Sequence, residues 1–426
     1  MFNGKHLVVA LTMVLLIGSL LIVSSIYSNT LQNHQKSDVT IGLKGHLTAK
    51  LYDSDGNLKK MIEKNNALTH WGKNKIIADL FHTDMPGSSI KQGPSTVTRM
   101  FVYYNGGQVQ CNRVELVGID PTPGCEMTIK TVTEEKKWKV EDLPEEIQED
   151  ADPEKIQPSY FVKAVFTATM DAGTPETSKN FESLSLIFSE ASTKMNDPAF
   201  FRQFNIVEFT NGLNKNPEET LELTLEVTTQ IASGSKANQI TNILDEKANL
   251  NNFVISRIFN VNYINSHNAE VIGNPTPIGV IHFYAQPAGG YRICYMPNFH
   301  PYKFHKNLYG DSSAEIGGCG PNPEINPVEV EIEPSKPGVS PGAYTKIKIT
   351  IKSPSDSNLE IDRLQMYFGM NALTSGESAG PNIMGSSWKT AFRITPKNPI
   401  PLPFKDPYQD GPIKDQVELT ITIGVI

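Results

Sequence analysis

The sequence predicts an all-β protein with a minor helical part, built as two tandem β-sandwich domains of Ig-like or jelly-roll-like type behind an N-terminal transmembrane or signal helix. Three observations carry this expectation. Glycine and proline number 31 and 29 in 426 residues, the punctuation of many turns between short strands. Segments that alternate apolar and polar residues recur along the chain, and several recur in the same order in each half. The longest uncharged apolar run, Leu7 to Val23, stands at the N-terminus.

That run has 17 residues and only Lys5 and His6 close before it, which sets it between the apolar core of a cleaved signal and a spanning helix. Residues 1–29 are therefore read as an anchor or signal. The positive charge stays inside, so the body faces outward: the chain sits in the cell membrane with its body at the cell surface, or is secreted if the segment is cleaved. Ile41 to Tyr52 alternates, meets Asp53, Ser54, Asp55 and Gly56, and resumes to Glu63, a hairpin pattern. An EF-hand loop needs Gly and Glu where Leu58 and Lys64 stand, so the acidic tip reads as a turn. Trp71 to Phe81 brings Ile76, Ile77, Leu80 and Phe81 to one helical face and is expected to be the most regular helix outside the N-terminal segment. Residues 134–155 hold ten acidic side chains against four lysines, a solvated excursion from the first domain.

The first domain is placed at 40–235 and the second, a diverged repeat of it, at 240–426. Phe161–Met170, Phe181–Phe188, Phe201-Arg202 and Leu221–Val227 are matched in order by Tyr344–Lys352, Leu359–Phe368, Phe392-Arg393 and Val417–Ile423. The cysteines follow the same division, Cys111 with Cys125 and Cys294 with Cys319. Two local disulfides are the natural pairing, and three pairings remain formally open.

Function is less legible than architecture. With 46 acidic residues against 38 basic ones and a net charge of -8, the chain is no cationic nucleic-acid binder. It has no Gly-x-Ser-x-Gly elbow, His-Glu-x-x-His helix or phosphate loop, so it is read as a non-enzyme without a cofactor. Zinc spacing of the Cys-x2-Cys kind is missing. Cys294, Met296, His300 and His305 are copper-type ligands, but no Met follows the histidines as in a cupredoxin. The aromatics around them, Tyr295, Phe299 and Tyr302, are candidate contacts for a glycan or other ligand. The last strand is apolar on one face through Val417, Leu419, Ile421 and Ile423, which makes it the candidate for strand addition between subunits.

The hairpin Asp53-Ser-Asp55-Gly56-Asn57-Leu58, the following Asn66-Ala-Leu-Thr-His-Trp-Gly72-Lys with its short helix, and the closing strand Leu221–Val227 resemble the opening and close of β-rich tailed-phage virion proteins, over residues 42–82 and 161–231. The resemblance implies a shell, tail or appendage subunit. The expected role is thus an extracytoplasmic structural or assembly protein of a cell surface, surface appendage or virion, working through self-association or contact with other surface proteins. A glycan- or ligand-binding surface module is the alternative, and a copper-dependent enzyme or electron carrier the third.

Overall fold

The computed structural model describes residues 35–81, 96–137, 139–142, 159–190, 194–233, 240–261, 263–265, 270–272, 278–287, 292–295, 329–351, 359–369, 388–394, 400–401 and 417–426. They form a mostly β protein with two α-helices, and among them no helix is long and apolar enough to cross a membrane. Leu7–Val23 lies outside the described residues.

In chain order the first half contains β1 (Gln35–Tyr52), β2 (Leu58–Asn65), β3 (Ala67–Leu68), α1 (His70–Phe81), β4 (Thr96–Tyr104), β5 (Gly107–Arg113), β6 (Cys125–Lys136), β7 (Ser159–Met170), β8 (Lys179–Ser189), β9 (Phe201–Gln203), β10 (Asn205–Lys215) and β11 (Thr220–Ser233). The second half contains α2 (Ile240–Phe259), β12 (Tyr263–Asn265), β13 (Glu270–Ile272), β14 (Ile278–Pro287), β15 (Arg292–Tyr295), β16 (Glu329–Glu333), β17 (Ala343–Ile351), β18 (Leu359–Gly369), β19 (Trp388–Ile394), β20 (Ile400–Pro401) and β21 (Val417–Val425). Strands with a clean period of two form as their sequence dictates. Leu47, Ala49 and Leu51 of β1, Phe166, Ala168 and Met170 of β7, and Leu221, Leu223 and Leu225 of β11 all face one buried side.

The main sheet has fourteen strands, in the order β16-β17-β21-β1-β11-β7-β6-β5-β4-β8-β10-β3, with β2 on β1 and β9 on β8. It is mixed and curls back on itself. The segment from β2 to β3 pairs with β1 at one end and with β10 at the other, so one nearly continuous stretch bridges two strands that lie far apart in the order. Lys64 Nζ reaches Thr210 Oγ1 at 2.7 Å and Lys59 pairs with Glu219 across the same seam. The outer edge of β1 is divided. Gln35–Ile41 pairs in parallel with β21, His46–Tyr52 pairs antiparallel with β2, and between them Gly45 exchanges two hydrogen bonds with Asn66, its N–H donating to Oδ1 at 2.6 Å and its carbonyl accepting the Asn66 N–H at 3.0 Å. A Cβ at position 45 would lie 2.4 Å from the Asn66 side chain, so this close approach needs glycine.

Helix α1 begins where Thr69 caps it, its hydroxyl accepting the Gly72 N–H at 3.0 Å. Helix α2 lies between the main sheet, on β7 and β11, and a five-stranded sheet of order β15-β14-β18-β19 with β20 on β18, touching β19. Its second half is therefore buried on all sides, from Leu250 to Phe259 with only Arg257 partly exposed. Beyond the Val227–Ala164 pair β11 parts from β7, and two buried asparagines of the helix fill the gap. Asn251 accepts the Thr229 N–H at 3.0 Å and donates to Val162 O at 3.0 Å; Asn252 accepts the Val162 N–H at 2.8 Å and donates to Tyr160 O at 3.0 Å. Backbone groups that would be orphans in a dry core are thereby satisfied. Phe166, Phe188, Phe204 and Phe259 stack around the helix with ring centroids 5.0 to 6.3 Å apart, and Trp71 of α1 lies 5.7 Å from Phe188. Burying each ring is worth about 1.5–3 kcal/mol.

Three expectations change here. The two halves do not close as separate sheets on either side of residues 235–240, because the last strand of the chain pairs with the first. Strand β21, with Leu419, Ile421 and Ile423, has β17 on one edge and β1 on the other, so over that length it offers no free edge to a second subunit. The expected helix at Trp71–Phe81 is joined by a second, the 20-residue α2, at residues assigned to the second β-sandwich. The strands matched between the halves do pair alike: β7 with β11 as β17 with β21, and β8 with β9 as β18 with β19, all antiparallel.

Candidate functional site

The strand register collects one set of connections at one end of the curl. Tyr52 pairs with Thr220, Leu221 with Met170 and Met170 with Cys125, so the turns 53–57, 171–178 and 216–219 meet there with Gly124. Gln35, where the described chain begins, lies at the other end of β1, about 55 Å away at the rise of an extended strand.

These turns are stitched together. Asp53 Oδ1 accepts the N–H groups of Asp55 and Asn57 at 3.0 and 2.8 Å, and the bond from Asn57 holds its carboxyl below the ordinary range. The Asp171 N–H donates to Gly124 O at 2.8 Å and the Gly173 N–H to Pro217 O. Ser178 Oγ donates to Asn216 Oδ1 at 2.8 Å. Beneath them Lys215, 0% exposed, donates its ammonium to Asp171 O at 3.1 Å and Asn216 O at 3.4 Å. Burial pushes the Lys215 ammonium below its ordinary value, against the pull of Glu219. Glu219, 2% exposed, accepts the Asn216 N–H at 2.7 Å and pairs with Lys59. Burial alone would raise the Glu219 carboxyl, but these bonds outweigh it and leave it below the ordinary value.

Next to this end the loop Val114–Gly124 is closed by the Cys111–Cys125 disulfide, whose Cα atoms are 4.5 Å apart and whose cysteines are both fully buried. Closing a loop of 14 residues contributes on the order of 3 kcal/mol in the chain-entropy account. A strap from the β8–β9 connection latches the loop. Asn196 donates to Gly118 O at 3.0 Å, while its Oδ1 accepts from Arg99 and, at 3.4 Å, from the Asp120 N–H. Arg99 stacks 4.3 Å over Phe201, the first residue of β9, which follows the strap. The held loop presents Val117, 94% exposed, with Val114 half exposed beside it. Such a surface is suited to contact: an apolar tip on a backbone that has little freedom left to lose on binding.

Of the residues singled out from sequence, Cys111 and Cys125 come together. Cys294 sits in β15 opposite Phe283 and Tyr295 opposite His282, while Cys319, Phe299 and Tyr302 lie outside the described residues. Among the described residues no group of three or more His, Cys, Asp and Glu is placed to hold a metal ion. Among the described residues Ser335 and His70 form a pair that looks like a nucleophile and base, with Oγ 2.6 Å from Nδ1. The Ser335 hydroxyl also faces Ser340 O and Pro341 O at 3.2 and 3.1 Å, and the residue is 3% exposed. With its proton given to a carbonyl it serves to dock the 335–342 turn on α1. Sequence reading passed over Lys215, Glu219, Arg99 and Asn196, because each gains its role from residues distant in the chain. The chain matches no family model, no curated protein and no solved structure.

Proposed function

We propose that the chain is an extracytoplasmic structural or assembly protein of a cell surface, a surface appendage or a virion, working by contact and not by catalysis. The observation that carries this reading is the stitched loop end with its disulfide-closed, apolar-tipped loop, set far from the end at which the chain leads back toward Leu7–Val23. If that segment anchors or exports the chain, the loop end points away from the membrane, where a partner subunit or surface protein would meet it.

The test compares two exposed valines. Val117→Asp alters the disulfide loop; Val339→Asp makes the same change at the Lys336–Ser340 turn, where the native valine is 80% exposed. Each should shift folding stability by less than about 0.5 kcal/mol. Native surface extracts are then examined by sedimentation and electron microscopy. Val117→Asp is expected to dissolve the assemblies and Val339→Asp to leave them intact. Assemblies indifferent to Val117→Asp would remove the loop from the contact.

A further inference from the structure

Beneath the disulfide loop two buried polar atoms have no protein partner: Nε of Arg99 and Oδ1 of Asn112. Both residues are almost fully enclosed, at 3% and 6% exposed. They are direct register partners on β4 and β5, which places their side chains on one face with Cβ atoms about 5 Å apart. They also end on the same pair of residues. Arg99 donates to Asn196 Oδ1, Asn196 Oδ1 accepts the Asp120 N–H, and Asn112 Nδ2 donates to Asp120 O, so these three bonds, with the β4–β5 pairing of Arg99 and Asn112, link four residues in a ring.

One orphan is a donor and the other an acceptor. The amide of Asn112 cannot be turned to exchange them, since Nδ2 is fixed by a carbonyl that accepts only. An anion would suit Arg99 but repel Asn112 Oδ1, and a cation would do the reverse. The centre of the ring calls for one small group that accepts from one side and donates to the other, at a place where both residues are almost fully enclosed. We infer that Arg99 Nε and Asn112 Oδ1 hold a single buried water molecule that ties the disulfide loop to strands β4 and β5. Water in this position turns two costly orphans into a satisfied network. It also makes the strand pair, the strap and the loop one unit, a property independent of what the loop contacts.

A crystal structure of the full chain in which ordered solvent is visible should show one peak within hydrogen-bond reach of both atoms. Direct contact between the two atoms, or no peak in an otherwise ordered ring, overturns the inference. Asn112→Leu removes the acceptor and the Asp120 tie, and the amide of Asp120 should then exchange with solvent at least about tenfold faster. Arg99→Met with Asn112→Leu removes both orphans and should recover part of the lost unfolding midpoint, as paired apolar replacement does. A double variant no better than the two losses added would show that no shared group joins them.

Discussion

Gly72 shows how little room single residues leave. A Cβ there would stand 2.1 Å from the carbonyl oxygen of Phe204, which is backbone and has no rotamer by which to withdraw. Helix propensity alone says Gly72→Ala should stabilise α1 by about 1 kcal/mol. The clash reverses the sign, and a loss of about 1–3 kcal/mol is expected from denaturant unfolding; a neutral or stabilised variant would mean the helix does not dock this closely. Glu219 gives a second test, with pH as the variable. Its carboxyl sits below the ordinary value of 4.5 in the folded protein, held by the Asn216 N–H and Lys59 against the effect of burial. A lowered carboxyl contributes stability that is complete above the unfolded value and drains away as pH falls through the folded one. Glu219→Gln should therefore cost about 2 kcal/mol at neutral pH, and the gap from the native chain should narrow steadily below pH 4.5. A gap that stays constant down to strong acid would show that the charge is not what matters.

Helix α2 is the element on which the sheet depends. Asn251 and Asn252 serve four backbone groups of two diverging strands and also bond each other at 2.9 Å. Either change to alanine should cost about 1–3 kcal/mol, and because the side chains share a network the double variant should lose measurably less or more than the sum. Strict additivity in thermal unfolding would count against the stitch. This helix also marks where sequence reading stops. Strands β1, β7 and β11 are legible because each has one buried face and one wetter face, which writes a period into the residues, and helix α1, which has no fully exposed residue, is legible from the helical spacing of Ile76, Ile77, Leu80 and Phe81. The second half of α2, from Leu250 to Phe259, is buried nearly all round, so no polar stripe sets its face there, and Asn251 and Asn252 look like loop residues until their strand partners are known. The same holds for the site: the Cys111–Cys125 pair was readable from local spacing, whereas Lys215 with Asp171 and Arg99 with Asn196 are joined only by the curl of the sheet.

For the whole molecule the decisive fact is that first and last strands are neighbours. An apolar C-terminal strand with one free edge would be a joint, and removing it would leave folded subunits unable to assemble. In the structure β21 is enclosed on both edges and nearly buried on both faces, from Leu419 through Thr422 and Ile423 to Val425, and among the described strands it is the link from β17 and β16 to β1. Deleting residues 417–426 strips the cover from Ile41 and Ile347 together and opens a hydrophobic edge in the middle of the sheet. The expected product lacks a cooperative thermal transition and collects in the insoluble fraction. A truncated chain that melts sharply near the native midpoint would show that the rest of the sheet folds without β21 and the β16–β17 pair it joins to β1. Assembly of the proposed kind would have to use surfaces the fold leaves open, and the disulfide-closed loop with its exposed Val117 is one of them, so a contact made there would cost the body none of its own pairing.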